Sequence, residues 1–362
     1  MRTSCLLLLS FLLHVRVAYG AADFRICAFN LQHFGESKSK KSDVMQTLVR
    51  IITRCDVCLL QEVRDSKGGA LPELLEQIRR FDPKHQYKSV SSERLGRSDS
   101  YQEQYVFIYR SSTTTVTDEY QYPDDLPGDE DAFSREPFVV RFKAPQTAVK
   151  EFVLIPQHTT PTNTTKELDA LYDVLQQVRK MWKTDNVMLL GDFNADCSYL
   201  PKKNRKNVRL ITDTSLSWLI PDTADTTVRS TTSCAYDRIV VHGETFDRAI
   251  VPSSAKAFNF QEEYGLTEKQ VTVHACIRAR IVSSHRRLQH VIYVQVLVVK
   301  LLVCSSGFER ERSLPCGSSA EGRSIKVLQR SRFLLRRLLP PAPSPPSDPS
   351  ALNLIAEQQT RV

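Results

Sequence analysis

The chain has 362 residues, of which 41% are hydrophobic, so it is long enough for one large domain or two small ones. Its net charge of +8 is uneven: residues 271–362 hold 14 basic and 5 acidic side chains, which leaves 35 basic and 36 acidic ones in residues 1–270. This nearly neutral first part excludes proteins that bind nucleic acids through one broad basic field. If the first part binds DNA, it should do so through a few placed arginines.

Residues 1–20 have the pattern of a secretory signal peptide. Arg2 supplies a positive charge, the following run CLLLLSFLLHV is apolar, and Ala18 and Gly20 are small residues spaced for cleavage after Gly20. The alternative is a membrane anchor, for which the apolar run is too short. We therefore expect a secreted, extracellular protein without a transmembrane anchor, in which disulfides can form and Asn163 of the sequon Asn-Thr-Thr is glycosylated.

Short apolar runs alternate with amphipathic segments between residues 24 and 241. The runs are typical of buried strands, and the segments have helical periodicity, with Ser42 as a plausible N-cap. In chain order the pattern predicts a strand at 25–31, a helix at 42–55, a strand at 57–63, a helix at 71–81, strands at 105–110, 138–143 and 152–158, a helix at 166–182, and strands at 187–193 and 237–243. We expect an α/β fold of two packed mixed β-sheets flanked by helices, a four-layer sandwich.

Polar side chains recur at the ends of these predicted strands. They are Asn30, Glu62, His158, Asp192, Asn194 and Asp237. Each alone would be a loop or capping residue, but strand ends of a layered fold meet at one rim, so the set could line one cleft.

The side chains at this predicted rim suit phosphodiester hydrolysis. Carboxylate and amide oxygens are ligands for Mg²⁺ or Mn²⁺, and the imidazole of His158 can exchange a proton near neutral pH. A metal ion neutralises charge that develops on phosphate, while a base takes a proton from water.

Seven ordered motifs resemble those of the deoxyribonuclease I family, and most closely its gamma-type members. They are AFNLQHFGE (28–36), LLQEVRDS (59–66), LGRSDSYQEQYVF (95–107), FSREPFVV (133–140), QHTTP (157–161), GDFNADCSY (191–199) and TSCAYDRIVV (232–241). The resemblance runs from about Arg25 to Glu268. It implies an endodeoxyribonuclease that uses Mg²⁺ or Mn²⁺, with a structural Ca²⁺, and leaves 5′-phosphate and 3′-hydroxyl ends on DNA.

The resemblance also implies the roles of single residues. It assigns catalysis to Glu103, His158, Asp192, Asn194 and Asp237, the main metal site to Asn30, Glu62 and Asp192, the Ca²⁺ site to Asp225 and Thr227, DNA contacts to Arg64, Tyr101, Arg135 and Tyr199, and a disulfide to Cys197 and Cys234. The DNA-contacting arginines could instead be surface ion-pair partners, and the tyrosines packing residues.

Other cysteines and a surface segment carry expectations of their own. Cys27, Cys55 and Cys58 are expected to be core thiols. The segment VSSE (90–93) is polar where actin-binding relatives use an apolar edge, so tight actin binding is not expected. We expect a monomer.

The chain departs from the family pattern after Gln270. The family continues with an Asp-His pair and a last apolar strand, but no Ser-Asp-His sequence follows here. His274 comes about three residues early and follows a valine. We therefore expect a catalytic domain over 21–270, an altered or missing final strand, and an atypical, basic, partly disordered tail over 271–362.

Loss of the Asp-His pair predicts reduced or absent activity. In one alternative, the alternating segment IRARI docks as a strand and brings His274 towards Asp237. Others are an inactive DNA-binding variant, a misfolded isoform, and a phosphatase of the same superfamily, which Arg64 and Tyr101 disfavour.

Overall fold

Two β-sheets pack face to face in the computed structural model, which describes residues 24–98, 100–125, 127, 130–271 and 276–284. The strands are β1 (Phe24–Phe34), β2 (Val57–Val63), β3 (Tyr87–Ser91), β4 (Leu95–Ser98), β5 (Tyr101–Arg110), β6 (Thr115–Gln121), β7 (Phe138–Ala144), β8 (Lys150–Pro156), β9 (Val187–Asp192), β10 (Leu216–Trp218), β11 (Asp237–His242), β12 (Lys256–Phe258) and β13 (Cys276–Ile281). The first sheet has the order β12-β13-β1-β2-β5-β3, with β4 beside β5, and the second has the order β10-β11-β9-β8-β7-β6.

Helices cover the outer face of each sheet. They are α1 (Glu36–Ser39), α2 (Ser42–Ile52), α3 (Ala70–Phe81), α4 (Thr164–Trp182), α5 (Arg209–Thr212), α6 (Glu244–Asp247) and α7 (Phe260–Tyr264), with 3-10 turns at Lys202–Asn207 and Glu268–Gln270. Ser42 begins α2, and Lys41 rather than Ser42 is its N-cap.

Side-chain alternation along the strands builds the core in three layers. In β1, Ile26 and Ala28 face the second sheet, whereas Cys27 and Phe29 face α2 and α3. The outer face of the second sheet packs on α4. These layers confirm the predicted four-layer α/β sandwich.

The final strand is altered but present. Strand β13 lies between β12 and β1 and pairs antiparallel with both. Its residues Ile277, Ala279 and Ile281 are fully buried between the sheets. These residues alternate with arginines, so β13 has one apolar face, and that face packs between the two sheets. Of the two expected outcomes, an altered strand is therefore the one found, and strand structure is present beyond residue 270, in Cys276–Ile281.

Two disulfides cross-link the chain. Cys197 and Cys234 are bonded, which confirms the predicted pair. Cys27 and Cys55 are also bonded, so the expectation that both are thiols is wrong: Cys55 lies just beyond α2, within reach of the start of β1. Cys58 and Cys276 are buried thiols.

Some expectations fall outside the described residues. These are the signal peptide at 1–20, His274 and the tail beyond residue 284. Among the residues that the structure does describe, no helix is long and apolar enough to cross a membrane.

Removal of β13 should unfold the protein. Truncating a buried Ile to Ala typically costs about 2–5 kcal/mol, and β13 contributes two such residues to a protein whose total stability should be about 5–15 kcal/mol. We expect a chain that ends at Gln270 to lose its cooperative melting transition, measured by circular dichroism, whereas a chain that ends at Ser284 keeps it. Equal melting temperatures for the two chains would contradict the role given to β13.

Candidate active site

Five strands deliver polar side chains to one rim of the sandwich. Strand β1 runs parallel to β2, and β8 runs parallel to β9, so the ends of both pairs place Asn30, Glu62, His158 and Asp192 at the same edge. Strand β11 is antiparallel to β9 and sets Asp237 directly opposite Asp192. The structure thus brings the predicted strand-end residues together.

Backbone irregularities aim Glu62 into the rim. The pairing register shifts between Asn30 and Phe34 and between Leu60 and Val63. Glu62 itself has a left-handed φ of 56°. Bulges and strained backbone of this kind redirect a side chain, and here they turn a strand residue towards the cleft.

A buried glutamine joins the two sheets beneath the rim. Gln61 Nε2 donates to the carbonyl of Gln157 at 2.8 Å, and Gln61 Oε1 accepts from the backbone N–H of Asp192 at 2.9 Å. A Cβ on Gly191, which has φ of 132°, would lie 2.6 Å from Gln61 Nε2, so glycine permits this contact.

Two buried carboxylates converge around the amide of Asn30. Asn30 Nδ2 donates to Glu62 Oε1 at 3.0 Å and to Asp192 Oδ2 at 3.1 Å. Asn30 Oδ1 accepts from the N–H of Gln32 at 2.9 Å, so in this arrangement Asn30 holds the carboxylates rather than offering an oxygen. Paired buried carboxylates are costly without a cation, and their oxygens fit Mg²⁺ or Mn²⁺.

His158 and Glu103 form a buried dyad beside these carboxylates. His158 Nδ1 lies 2.6 Å from Glu103 Oε1, and His158 Nε2 lies 4.0 Å from Glu62 Oε1 and 3.9 Å from Asp192 Oδ2. Burial alone would lower the pKa of His158, but the charge and hydrogen bond of Glu103 raise the pKa above its ordinary value. Burial raises the pKa of Glu103, yet the charges of His158 and Arg135 outweigh it and lower that pKa.

Arg135 braces the dyad from inside the protein. Its Nε and Nη2 donate to the carbonyl of His158 at 2.9 and 2.7 Å, and its Nε lies 3.4 Å from Glu103 Oε1. The residue is only 7% exposed. Arg135 therefore positions His158, a role that the expected DNA contact did not include.

An open cleft of about 840 Å³ lies above these groups. Tyr101 and Tyr199, two of the predicted contact residues, line it and are 46% and 37% exposed. The guanidinium of Arg64 stacks on the Tyr101 ring at 3.5 Å, and Tyr199 stacks on Tyr236 at 5.0 Å. Two nitrogens of Arg64, Nε and Nη2, are buried without a hydrogen-bond acceptor among the described residues.

The loop after Asp192 is fixed by local hydrogen bonds. The N–H of Asn194 donates to Asp192 Oδ1 at 3.2 Å, and Asn194 Nδ2 donates to the carbonyl of Thr159 at 3.0 Å. Asp237 is 1% exposed, and its N–H donates to Thr226 Oγ1 at 3.0 Å. These bonds hold the ends of β8, β9 and β11 at fixed separations.

The remaining predicted residues lie further from the dyad. Thr227 donates through its N–H and its hydroxyl to Asp225 Oδ1, at 2.8 and 2.7 Å, in a loop at the edge of the cleft. Asn163 is the half-buried N-cap of α4 and donates to the carbonyl of Ala132 at 3.4 Å.

Sequence reasoning missed two residues that position the site. Gln61 lies within the motif LLQEVRDS, in a predicted strand whose other residues are mostly apolar, and the pattern predicts no role for it. Glu167, in the first turn of α4, accepts from the N–H of Thr160 at 3.1 Å and from Gln157 Nε2 at 3.2 Å. Acidic residues are common in the first turn of a helix, so nothing in the sequence marks Glu167 as a residue that positions the site.

Comparison with known proteins gives concordant results. Residues 27–258 match the endonuclease/exonuclease/phosphatase family. Deoxyribonuclease gamma of Rattus norvegicus is 46% identical over 281 residues, which cover 76% of this chain and 90% of that protein. Deoxyribonuclease-1 of Sus scrofa is 47% identical over 250 residues, or 69% of this chain and 87% of that protein.

A solved structure agrees at the level of the fold. The human Nocturnin catalytic domain with bound sulfate anion superposes with a TM-score of 0.52, covers 72% of this chain and 94% of its own, and is 12% identical. At this identity the likeness concerns the arrangement of strands and helices alone.

Removal of the Glu103 charge should lower the pKa of His158. In metal-free protein we expect Glu103→Gln to shift the titration of the His158 ring protons to lower pH, followed by NMR. Glu76→Gln on the exposed face of α3 serves as the control and should leave that titration in place. A His158 pKa that is the same in both variants would contradict the coupling.

Proposed function

The chain belongs to the deoxyribonuclease I family, within the endonuclease/exonuclease/phosphatase family, and from this premise we propose that it is a secreted, metal-dependent endodeoxyribonuclease. The observation that carries the proposal is the buried Glu103–His158 dyad, which lies beside the converging carboxylates of Glu62 and Asp192. The relatives named above are themselves deoxyribonucleases by name.

The reaction is hydrolysis of a DNA phosphodiester. Mg²⁺ or Mn²⁺ held by Glu62 and Asp192 would neutralise the charge that develops on the phosphate. His158 Nε2 accepts a proton from the attacking water, while Glu103 holds Nδ1 and stabilises the imidazolium that forms. The new bond joins the water oxygen to phosphorus, the bond from phosphorus to the 3′ oxygen breaks, and that oxygen takes a proton from solvent. The products carry 5′-phosphate and 3′-hydroxyl ends.

Substrate contacts lie on the cleft wall. The exposed rings of Tyr101 and Tyr199 offer flat apolar surface to sugars, and the guanidinium of Arg64, which stacks on Tyr101, supplies a positive charge beside them for a backbone phosphate. Asn194 lines the same cleft, which supports a contact with the scissile phosphate. Arg135 contributes mainly by holding His158.

A structural Ca²⁺ is proposed at Asp225 and Thr227. Their carboxylate and hydroxyl oxygens are suitable ligands, and the loop already closes around Thr227 Oγ1, which lies 2.6 Å from the carbonyl oxygen of Thr232. The ion would stiffen a loop that lines the cleft.

The cellular setting is also part of the proposal. Two disulfides favour an oxidising compartment and so support secretion. Glycosylation at Asn163, a monomeric state and weak or absent actin binding remain predictions from the sequence.

We propose that the activity is lower than that of the relatives. The Asp-His pair of the family pattern does not follow Gln270, so Asp237 lacks the histidine of the second dyad. An inactive DNA-binding variant is the second candidate, and it would keep Arg64 and Tyr101 without turnover.

Loss of the His158 imidazole should abolish most turnover. Removal of a positioned acid–base group lowers rates about 10²–10⁴-fold. We expect His158→Ala to reduce Mg²⁺-dependent nicking of supercoiled plasmid by that factor, whereas His85→Ala, which removes a surface imidazole paired with Asp82, has no effect. Equal nicking by the two variants would refute the assignment.

The docked strand β13 gives the alternative for His274 a direct test. The sequence left open that docking of IRARI would let His274 serve Asp237, and that segment does pair with β1. We expect His274→Ala to leave the rate of plasmid nicking unchanged, because His274 comes about three residues before the position of the family's histidine. Slower nicking at an unchanged melting temperature would contradict this expectation and give His274 a role beside Asp237.

Neutralising Glu62 should weaken the binding of the metal ion. We expect Glu62→Gln to raise the Mg²⁺ concentration for half-maximal nicking at least about tenfold, because one of two converging carboxylate charges is lost. The matched control is Glu73→Gln, on the exposed face of α3. If both variants saturate at the same Mg²⁺ concentration, the metal does not bind at Glu62.

A further inference from the structure

Four arginines gather at the end of the first sheet that is remote from the catalytic rim. They are Arg25 on β1, Arg54 just after α2, and Arg278 and Arg280 on β13, and we call them the arginine cluster. Arg25 faces Arg280 directly across the antiparallel β1–β13 pair. Arg25 precedes Asn30 by five residues, which places the cluster about 17 Å along the strand from the site.

The arginine cluster lies on the face of the first sheet that α2 covers further along the strands. Cys27 and Cys276 lie in the core beneath the helices, and by alternation Arg25, Arg278 and Arg280 point from that same face. Because α2 ends at Ile52, the face beyond it is occupied by guanidinium groups rather than by apolar side chains.

Like charges are held close together here. Burial and the charges of Arg278, Arg54 and Arg280 lower the pKa of Arg25, and burial and the charge of Arg54 lower the pKa of Arg278. Like charges directly opposite on adjacent strands destabilise a sheet. Two carboxylates adjoin the cluster. Asp56 accepts a hydrogen bond from the backbone N–H of Arg25 at 2.8 Å, and Glu263 lies 3.7 Å from Arg54.

Aromatic packing fixes the orientation of the guanidinium groups. Arg54 lies over the Phe258 ring at 3.6 Å, and Arg278 approaches the same ring at 5.6 Å. Arg25 Nη1 donates to the carbonyl of Arg54 at 2.7 Å, while Arg25 Nε is buried without a hydrogen-bond acceptor among the described residues. Stacked, rigid guanidinium groups are suited to phosphate oxygens.

We propose that the arginine cluster is a second DNA contact, which binds backbone phosphates of a duplex segment other than the one in the cleft. This inference rests on the proposed function. Duplex DNA presents a phosphate charge about every 1.7 Å, so one segment can meet several arginines. A membrane surface would also require exposed apolar side chains beside the charges, and Phe258 is only 7% exposed.

Salt-dependent binding tests the second contact. The parent is the full chain with His158→Ala, which prevents cleavage, and the probe is a long fluorescent duplex followed by anisotropy over a NaCl series. We expect Arg54→Gln/Arg278→Gln to weaken binding several-fold and to reduce the slope of log Kd against log salt by about 2. Arg79→Gln/Arg80→Gln on α3 makes the same charge change at exposed sites and should leave both quantities at the parent values.

Further variants keep the test decisive. If the double variant does not melt cooperatively, Lys256→Gln replaces it. Lys256 is exposed and lies opposite Arg278 in the β12–β13 pair. Its loss should reduce the slope of log Kd against log salt by about 1. Parent-like slopes in the folded cluster variants would overturn the inference, as would a loss of binding to phosphatidylserine vesicles with unchanged DNA affinity.

A cleft variant separates this inference from the proposed function. Arg64→Ala/Tyr101→Ala should weaken binding of the same duplex through the catalytic cleft. Weakening by the cleft variant alone would sink the second contact and leave the proposed function intact. If neither pair of substitutions alters binding, the proposed function fails as well.

Discussion

The side-chain amide of Gln61 joins the two sheets at the rim where the reactive groups lie. It bonds the N–H of Asp192 and the carbonyl of Gln157, at 2.9 and 2.8 Å, and its own neighbour in the chain is Glu62. Gln157 in turn precedes His158. One side chain therefore fixes the relative positions of two carboxylates and an imidazole that belong to different sheets. The absence of a side chain at Gly191 makes room for it.

The same rim holds charges that would be unfavourable in isolation. Glu62, Asp192 and Glu103 are all buried, and a buried carboxylate is stable only with hydrogen bonds or an opposite charge. Arg135 and His158 serve Glu103, whereas Glu62 and Asp192 share the Asn30 amide and suit a divalent cation. Such fixed charges stabilise a transition state without reorganisation, which is the electrostatic advantage of a rigid site.

The sequence predicted the strands that are buried on both faces and His158 at the end of one of them, whereas Glu103 was assigned by the family resemblance alone. It did not predict β3 and β6, because YKSVS and TVTDEYQ are half-exposed and largely polar, so their alternation is weak. The Cys27–Cys55 bond was missed because pairing depends on where α2 returns the chain. Strand β13 is only an alternative at the level of the sequence, because the family resemblance ends before it. Its own alternation nevertheless fits a sheet with one apolar face. Gln61 showed no distinguishing pattern, since its role is a contact with a strand more than a hundred residues away.

The central claim is that Glu103 and His158 act as one unit in the hydrolysis of DNA. A double-mutant cycle on the initial rate of Mg²⁺-dependent plasmid nicking tests it most directly, with Glu103→Gln, His158→Ala and the combined variant in the full chain. If the two residues form one catalytic unit, the combined variant will be no slower than His158→Ala, because Glu103 acts through the imidazole. Rate losses that multiply in the combined variant would contradict the account, since the two groups would then work independently.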